Sequence, residues 1–244
     1  MVEPIFTKSH IDNTRPKIQE TVDKLLDKVT EHGGAEPFDI VEEFALPVPS
    51  YVGILGVPLS DLPYLTQQAA IRGNGSATAT ESSQANASLL SYIDALVDKR
   101  LQKSENDLIS LLVDNQLKAG RLQKADVTQI AFLLLVAGNA TMISMIALGI
   151  VTALQHPEQL EDLRSEPEKW SPKFVEELCR YHTASALATK RVAKEDINLG
   201  GKLIKKGEGI IAATQSGNRD EEVFPNPDVV DLQEASWSQT SDPL

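Results

Sequence analysis

Apolar residues recur along most of this chain at the spacing of a helix face. In residues 12–30, Ile18, Val22, Leu25, Leu26 and Val29 share one face and His32-Gly33-Gly34 supplies a stop, so an amphipathic surface helix is predicted. Residues 41–46 form a short segment that Pro47-Val48-Pro49 is expected to break, and a short apolar piece follows around Ile54-Leu55, closed by Gly56 and Pro58. Ser60-Asp61 caps a helix through Ile71, and GNGSATATES then reads as a polar loop or a helix start. A long amphipathic helix follows over 84–101, with Leu89, Leu90, Ile93, Leu96 and Val97 on its face; Asn106-Asp107 caps a shorter one through Leu117, ended by Gly120. Residues 124–155 predict a helix of about nine turns at 3.6 residues each. His156-Pro157 ends it, because the residue before proline avoids the α region. Two more helices are expected at 158–163 and 172–182.

Only afterwards does the period change. Residues 186–192, 197–204 around Gly200-Gly201, and 210–213 read as short strands, with the glycine pair suited to a tight hairpin. Many helices followed by a small late β region make a mainly α, α+β chain.

Within the long helix, residues 130–154 contain no charge, yet Gly138, Asn139 and Thr141 interrupt them. The run is long enough for a membrane span. Six or more amphipathic helices around it need an apolar partner, which favours a helix buried in a large domain, with no membrane span. Glycine in a helix interior costs about 1 kcal/mol against alanine, so the interruption needs a cause. Gly138 would let something flat approach the backbone, with the Thr141 hydroxyl one turn on; the alternative is close helix packing at Gly138.

Composition narrows the partners. A net charge of −12 with no basic run longer than Lys205-Lys206 argues against nucleic acid or an anionic membrane. The single cysteine, Cys179, excludes an internal disulfide, and the opening residues carry no targeting pattern, so a cytoplasmic protein is expected. Cys179 reads best as a buried small hydrophobe. The sharper alternative pairs it with His182 as thiolate and base or as half a metal site, but no third ligand stands at usable spacing.

The segment FVEELCRYHTASALATKR places Glu177 and Arg180 three apart on one helix, close enough to pair. Alone, that motif is most often a solvated surface pair worth under about 1 kcal/mol. Its order in the chain is more specific. A long helix carrying Ala-Gly-x-x-Thr, this motif about 40 residues on, a β region opening at Arg191, then NRDEEVFPNPD resembles the cytochrome P-450 superfamily of haem-thiolate enzymes. LLLVAGNATM, EGIIAATQSGNRDEEVF, EFALPVPSY and YLTQQ resemble the fungal nitric oxide reductase branch, over essentially the whole chain.

The resemblance implies an incomplete cytochrome P-450 fold, residues 1–244 forming one partial domain, with 124–155 as the long central distal helix across a haem b. Ala137 and Gly138 would lie nearest the ring and Thr141 would be the distal hydroxyl. Ser185 would join the chain of waters that delivers protons, Glu177 and Arg180 would be the structural ion pair, and Arg191 would meet a haem propionate. NADH would be taken up directly, with Arg72 and Lys190 as candidate cations for its phosphates. Most members carry an acid just before the threonine, a usual route for protons to bound dioxygen; here the residue is Ala140. Nitric oxide reduction, 2 NO + NADH + H⁺ to N2O, NAD⁺ and water, has no O–O bond to break, so Ala140 favours it over an oxygen-dependent monooxygenase. The family's iron-binding cysteine loop would begin about where residue 244 stands, and no Lys or Arg occurs in 220–244 to complete a triad with the Glu–Arg pair. The resemblance therefore implies a chain truncated at both ends and no axial cysteine for a metal, with a non-catalytic remnant or a membrane-anchored protein as readings of another class.

Overall fold

The first helix outruns its apolar stripe. In the computed structural model, which describes residues 7–31, 37–52, 55–73, 76–186 and 189–233, α1 spans Lys8–Glu31 and not 12–30, and it carries Pro16 inside. Pairs one turn apart, Lys8 to Asp12 at 2.7 Å and Lys24 to Glu20 at 2.6 Å, add the small increments that extend an exposed helix. The expected glycine stop lies outside the described residues. By contact the chain divides into two units, Met1–Ile143 and Ser144–Leu244, each described by itself.

In the first unit, Val41–Ala45 is a π turn that runs on into α2, Pro47–Val52. The break expected at Pro47-Val48-Pro49 is corrected: both prolines fall in the first turn of α2, where a helix leaves its N–H groups unpaired anyway. After a 3₁₀ turn at Leu59–Asp61 comes α3, Leu62–Gly73, and then α4, Ala79–Gln102. The start of α4, five residues before the apolar face begins, follows from a capping box: the Thr78 hydroxyl accepts from the Glu81 N–H and the Glu81 carboxylate accepts from the Thr78 N–H. Asp107 caps α5, Leu108–Leu112, by accepting from the Ser110 N–H at 2.8 Å, and a π turn at Val113–Leu117 follows.

Ile93, Leu96 and Val97 of α4 interlock with Leu108, Ile109 and Leu112 of α5 and with Val127 and Ala131 at the start of α6, Lys124–Gln155. Each of the Leu, Ile and Val side chains contributes about 1.5–3 kcal/mol when fully buried. Lys124 reaches Asp94 and Asp98, both at 2.7 Å, and Thr128 donates to Asp94 at 2.9 Å, which fixes the first turn of α6 on α4. Beneath them Arg100 donates to Asp107 at 2.6 Å and to the Gly56 carbonyl at 2.8 Å. Gly56 has φ +69, and a Cβ there would stand 2.1 Å from the Asp107 carboxylate, so glycine is required twice over.

The expectation of a helix buried all round is corrected for α6. Val127, Thr128 and Ala131 are buried near its start and Gly149 and Thr152 near its end, while Leu133 is 63% exposed and Leu154 68%. Among the described residues α4 and α5 cover only the beginning and α8 only the part near Gly149. By length and composition α6 could also cross a membrane.

The second unit continues with α7, Pro157–Ser165, and α8, Pro167–His182, each opened by a proline at the first position, so α8 begins before the expected 172. Four strands follow: β1 Thr189–Val192, β2 Ile197–Leu199, β3 Lys202–Ile204 and β4 Gly209–Ala212. β1 pairs antiparallel with β4 and β2 with β3, so the expected strand over 197–204 is a hairpin turning at Gly200-Gly201, both at positive φ. A short helix, α9, Thr214–Gly217, leads into an irregular segment over residues 218–233.

Candidate functional site

The middle of α6 presents small residues to open space. Ala137, Gly138, Ala140 and Thr141 are exposed, and a Cβ added to Gly138 would meet nothing within 4 Å. Close helix packing at Gly138, the alternative reading of the interruption, has no partner among the described residues. The Thr141 hydroxyl donates to the Ala137 carbonyl at 2.8 Å, the back-bond by which threonine satisfies itself inside a helix. That bond uses its proton, so the exposed hydroxyl oxygen can still accept.

On α8, Glu177 and Arg180 form a buried two-pronged pair, Nε to Oε2 at 2.8 Å and Nη2 to Oε1 at 2.7 Å. Arg180 spends its remaining donors on the carbonyls of Asn218, Pro227 and Val229, at 3.0, 2.7 and 2.9 Å, and the Asp231 N–H donates to Glu177 at 2.9 Å. Three carbonyls and one amide thus satisfy the pair, which holds residues 218–231 against α8. A cavity of about 110 Å³ lies beside it, lined by Phe224, Pro225 and Asn226 among others.

Ser185 is exposed in the turn over 184–186, just past Thr183, which has φ 47. Lys190 and Arg191 lie exposed on β1, their side chains on opposite faces of the strand; Arg191 donates to the Lys190 carbonyl at 3.1 Å. Arg72, in the first unit, donates to the Asn86 side chain at 2.8 Å, between α3 and α4. The strand expected from residue 186 begins at Thr189, and residues 187–188 lie outside the described set.

Several polar contacts escaped the sequence reading. Thr152 of α6 and His182 of α8 are hydrogen-bonded at 2.7 Å. Arg219 pairs with Asp228, donates to the Tyr181 carbonyl at 2.8 Å, and lies over the Tyr181 ring at 4.3 Å. Burial first and Arg219 second hold the His182 pKa below its ordinary value. Thr152 and His182 stand 30 residues apart and Arg219 and Tyr181 stand 38 apart, so no local pattern marks these contacts.

Against this geometry, residues 78–234 match the family model described as Cytochrome P-450. The chain belongs to the cytochrome P-450 family. It is 62% identical over 95% of its length to Cytochrome P-450 55A3 of Fusarium lichenicola, and 41% identical over 95% to pentalenic acid synthase of Streptomyces avermitilis. It spans 57% of the length of both relatives. Among solved structures, GfsF aligns with TM-score 0.84 at 36% identity, covering 95% of this chain and 58% of GfsF. Cytochrome P-450 TxtC, whose structure is described with sequential aliphatic and aromatic thaxtomin hydroxylation, aligns with TM-score 0.87 at 35% identity, covering 95% of this chain and 60% of TxtC.

Membership of the cytochrome P-450 family implies haem. The small exposed residues Ala137, Gly138 and Ala140, with open space where a Gly138 Cβ would stand, suit the flat face of such a ring. Cys179 does not suit its iron. It lies inside α8 between Glu177 and Arg180, and partial desolvation by its neighbours first and the Glu176 carboxylate second push its thiol pKa up, away from the thiolate an iron would need. Expected to be buried, Cys179 is instead exposed, because its position on α8 falls outside the stripe of Trp170, Glu177, Leu178 and Arg180 that packs inward. Nor does it pair with His182, whose ring nitrogen is taken by Thr152; no cluster of three metal-ligating side chains occurs among the described residues.

Proposed function

We propose that this chain supplies the distal half of a nitric oxide reductase of the cytochrome P-450 type, which converts 2 NO, NADH and H⁺ to N2O, NAD⁺ and water. The observation that carries it is Ala140 beside Thr141: at the exposed centre of α6 a hydroxyl stands without the neighbouring carboxylic acid that would feed protons to dioxygen. The identity of 62% to the Fusarium protein, against 41% to the Streptomyces synthase, supports the fungal branch.

When bound, haem supplies the iron that takes the nitric oxide and the electrons. The chain's own residues do the rest. Ala137 and Gly138 give clearance for the ring, and Arg191 is the cation for a propionate. Thr141 accepts a proton-bearing water on the lone pairs its back-bond leaves free, and Ser185 presents an exposed hydroxyl for proton delivery. Lys190, exposed on β1, and Arg72, held by Asn86, are the cations for the NADH phosphates.

The test is product analysis on the haem-loaded protein. With nitric oxide and NADH under anaerobic conditions, a full-length haem-loaded enzyme carrying this distal half should form one N2O for each NADH consumed, while the 244-residue chain, which offers no cysteine suited to the iron, should form none. Oxygen consumption coupled to substrate hydroxylation, with no N2O, would replace this reading by a monooxygenase.

A further inference from the structure

The C-terminal end of α8 is fastened at three successive residues by two other parts of the second unit, α6 and the Asn218-Arg219 segment. The Tyr181 carbonyl accepts from Arg219 at 2.8 Å, the His182 ring bonds Thr152 of α6 at 2.7 Å, and the Thr183 hydroxyl accepts from the Asn218 side chain at 3.0 Å. Thr183 also donates to the Arg180 carbonyl at 2.8 Å. Helices that end in a left-handed residue usually place glycine there, because a β-branched side chain at φ 47 is strained by about 1–3 kcal/mol. Thr183 adopts that conformation while buried, with its hydroxyl saturated on both sides. Such a strained residue persists only where its surroundings over-determine it.

The joint with α6 has little slack. Thr152 is buried, and one turn earlier a Cβ on Gly149 would stand 2.9 Å from Leu178, so the two helices already touch through glycine. Two residues beyond Thr183 the chain carries Ser185, exposed in its turn.

We infer that Thr152 and Asn218 are positioning residues: through His182 and Thr183 they hold the strained end of α8 and thereby aim the turn that presents Ser185. The importance of that aim rests on reading Ser185 as a proton-relaying hydroxyl, while the holding itself does not. A hydroxyl in a relay must keep its place within a fraction of an ångström. A helix end pinned at three consecutive residues provides that, and a glycine end would not.

Amide hydrogen exchange on the 244-residue chain tests it, with Thr152→Val as an isosteric loss of the hydroxyl, Thr152→Ser as its retention, and Asn218→Ala as the independent second variant. Thr152→Val and Asn218→Ala should each speed exchange at residues 183–186 by roughly tenfold, equivalent to about 1.4 kcal/mol, and leave the β1 and β4 amides within about twofold. Thr152→Ser should restore the parent rates and the parent resonances of the His182 ring. If Thr152→Val unfolds the second unit, the same local change in Asn218→Ala decides. Exchange at 183–186 unchanged in both variants, or equal loosening in the Val and Ser variants, overturns the inference. No haem, nitric oxide or nucleotide enters these readouts, so their failure leaves the proposed function standing, and failure to form N2O leaves this inference standing.

Discussion

Arg180 grips Glu177 through two hydrogen bonds of 2.8 and 2.7 Å while both side chains are buried, and the same guanidinium gathers the carbonyls of Asn218, Pro227 and Val229. A pair that is a surface ornament in isolation is here the fastening of a whole segment. Removing one partner leaves the other charge buried and unpaired, which typically costs 3–5 kcal/mol. Glu177→Ala and Arg180→Ala are each expected to lose about that much in denaturant unfolding of the second unit. Arg180→Lys should recover only part, since an ammonium cannot keep both the two-pronged contact and the three carbonyls.

Gly56 closes the corresponding knot of the first unit. Gly56→Ala must place a methyl group against the Asp107 carboxylate at a φ alanine avoids, and it should lower stability by about 2 kcal/mol or more, read as a drop in Tm. Asp107→Asn, which keeps the shape but weakens the charged bond to Arg100, should cost less than Asp107→Ala.

His182 gives a pH dependence of known sign. Burial and Arg219 depress its folded pKa, so the unfolded chain, at about 6.5, binds the proton more readily. The stabilisation is therefore complete above about 6.5 and is lost as the pH falls from there through the folded value. Titration of the His182 ring signal should show a midpoint below the ordinary value, and His182→Gln should remove this part of the acid sensitivity of unfolding.

Cys179 is exposed, yet partial desolvation by its neighbours first and Glu176 second push its thiol pKa up. Alkylation near neutral pH should be slower than for an unhindered peptide thiol, and Glu176→Gln should speed it. Thiolate fraction and not access sets that rate.

Legibility from sequence followed the range of each interaction. The order of helices and the late β region could be read because period and punctuation are local. The Thr78–Glu81 capping box is also local, and it starts α4 at Ala79, five residues before the 84 that the apolar face alone indicates. Pro47 and Pro49 look like breakers in sequence, although in a first turn proline lacks only an N–H that has no partner. The apolar length of α6 indicated burial, but burial depends on which layers lie over a helix, and its own residues do not carry that information. Glu177 and Arg180 were marked by their spacing, while the carbonyls that complete their shell, 38 to 49 residues on, left no pattern. The Thr152–His182 contact was invisible for the same reason.

Direct use of the nucleotide is the most exposed part of the proposed function. Rapid mixing of a full-length haem-loaded enzyme carrying this distal half with nitric oxide and NADH, with no reductase protein present, tests it in one step. NADH should be oxidised directly with one N2O released per NADH, and Lys190→Glu should raise the NADH requirement without changing the product. NADH left unconsumed until a separate reductase protein is added would contradict the assignment.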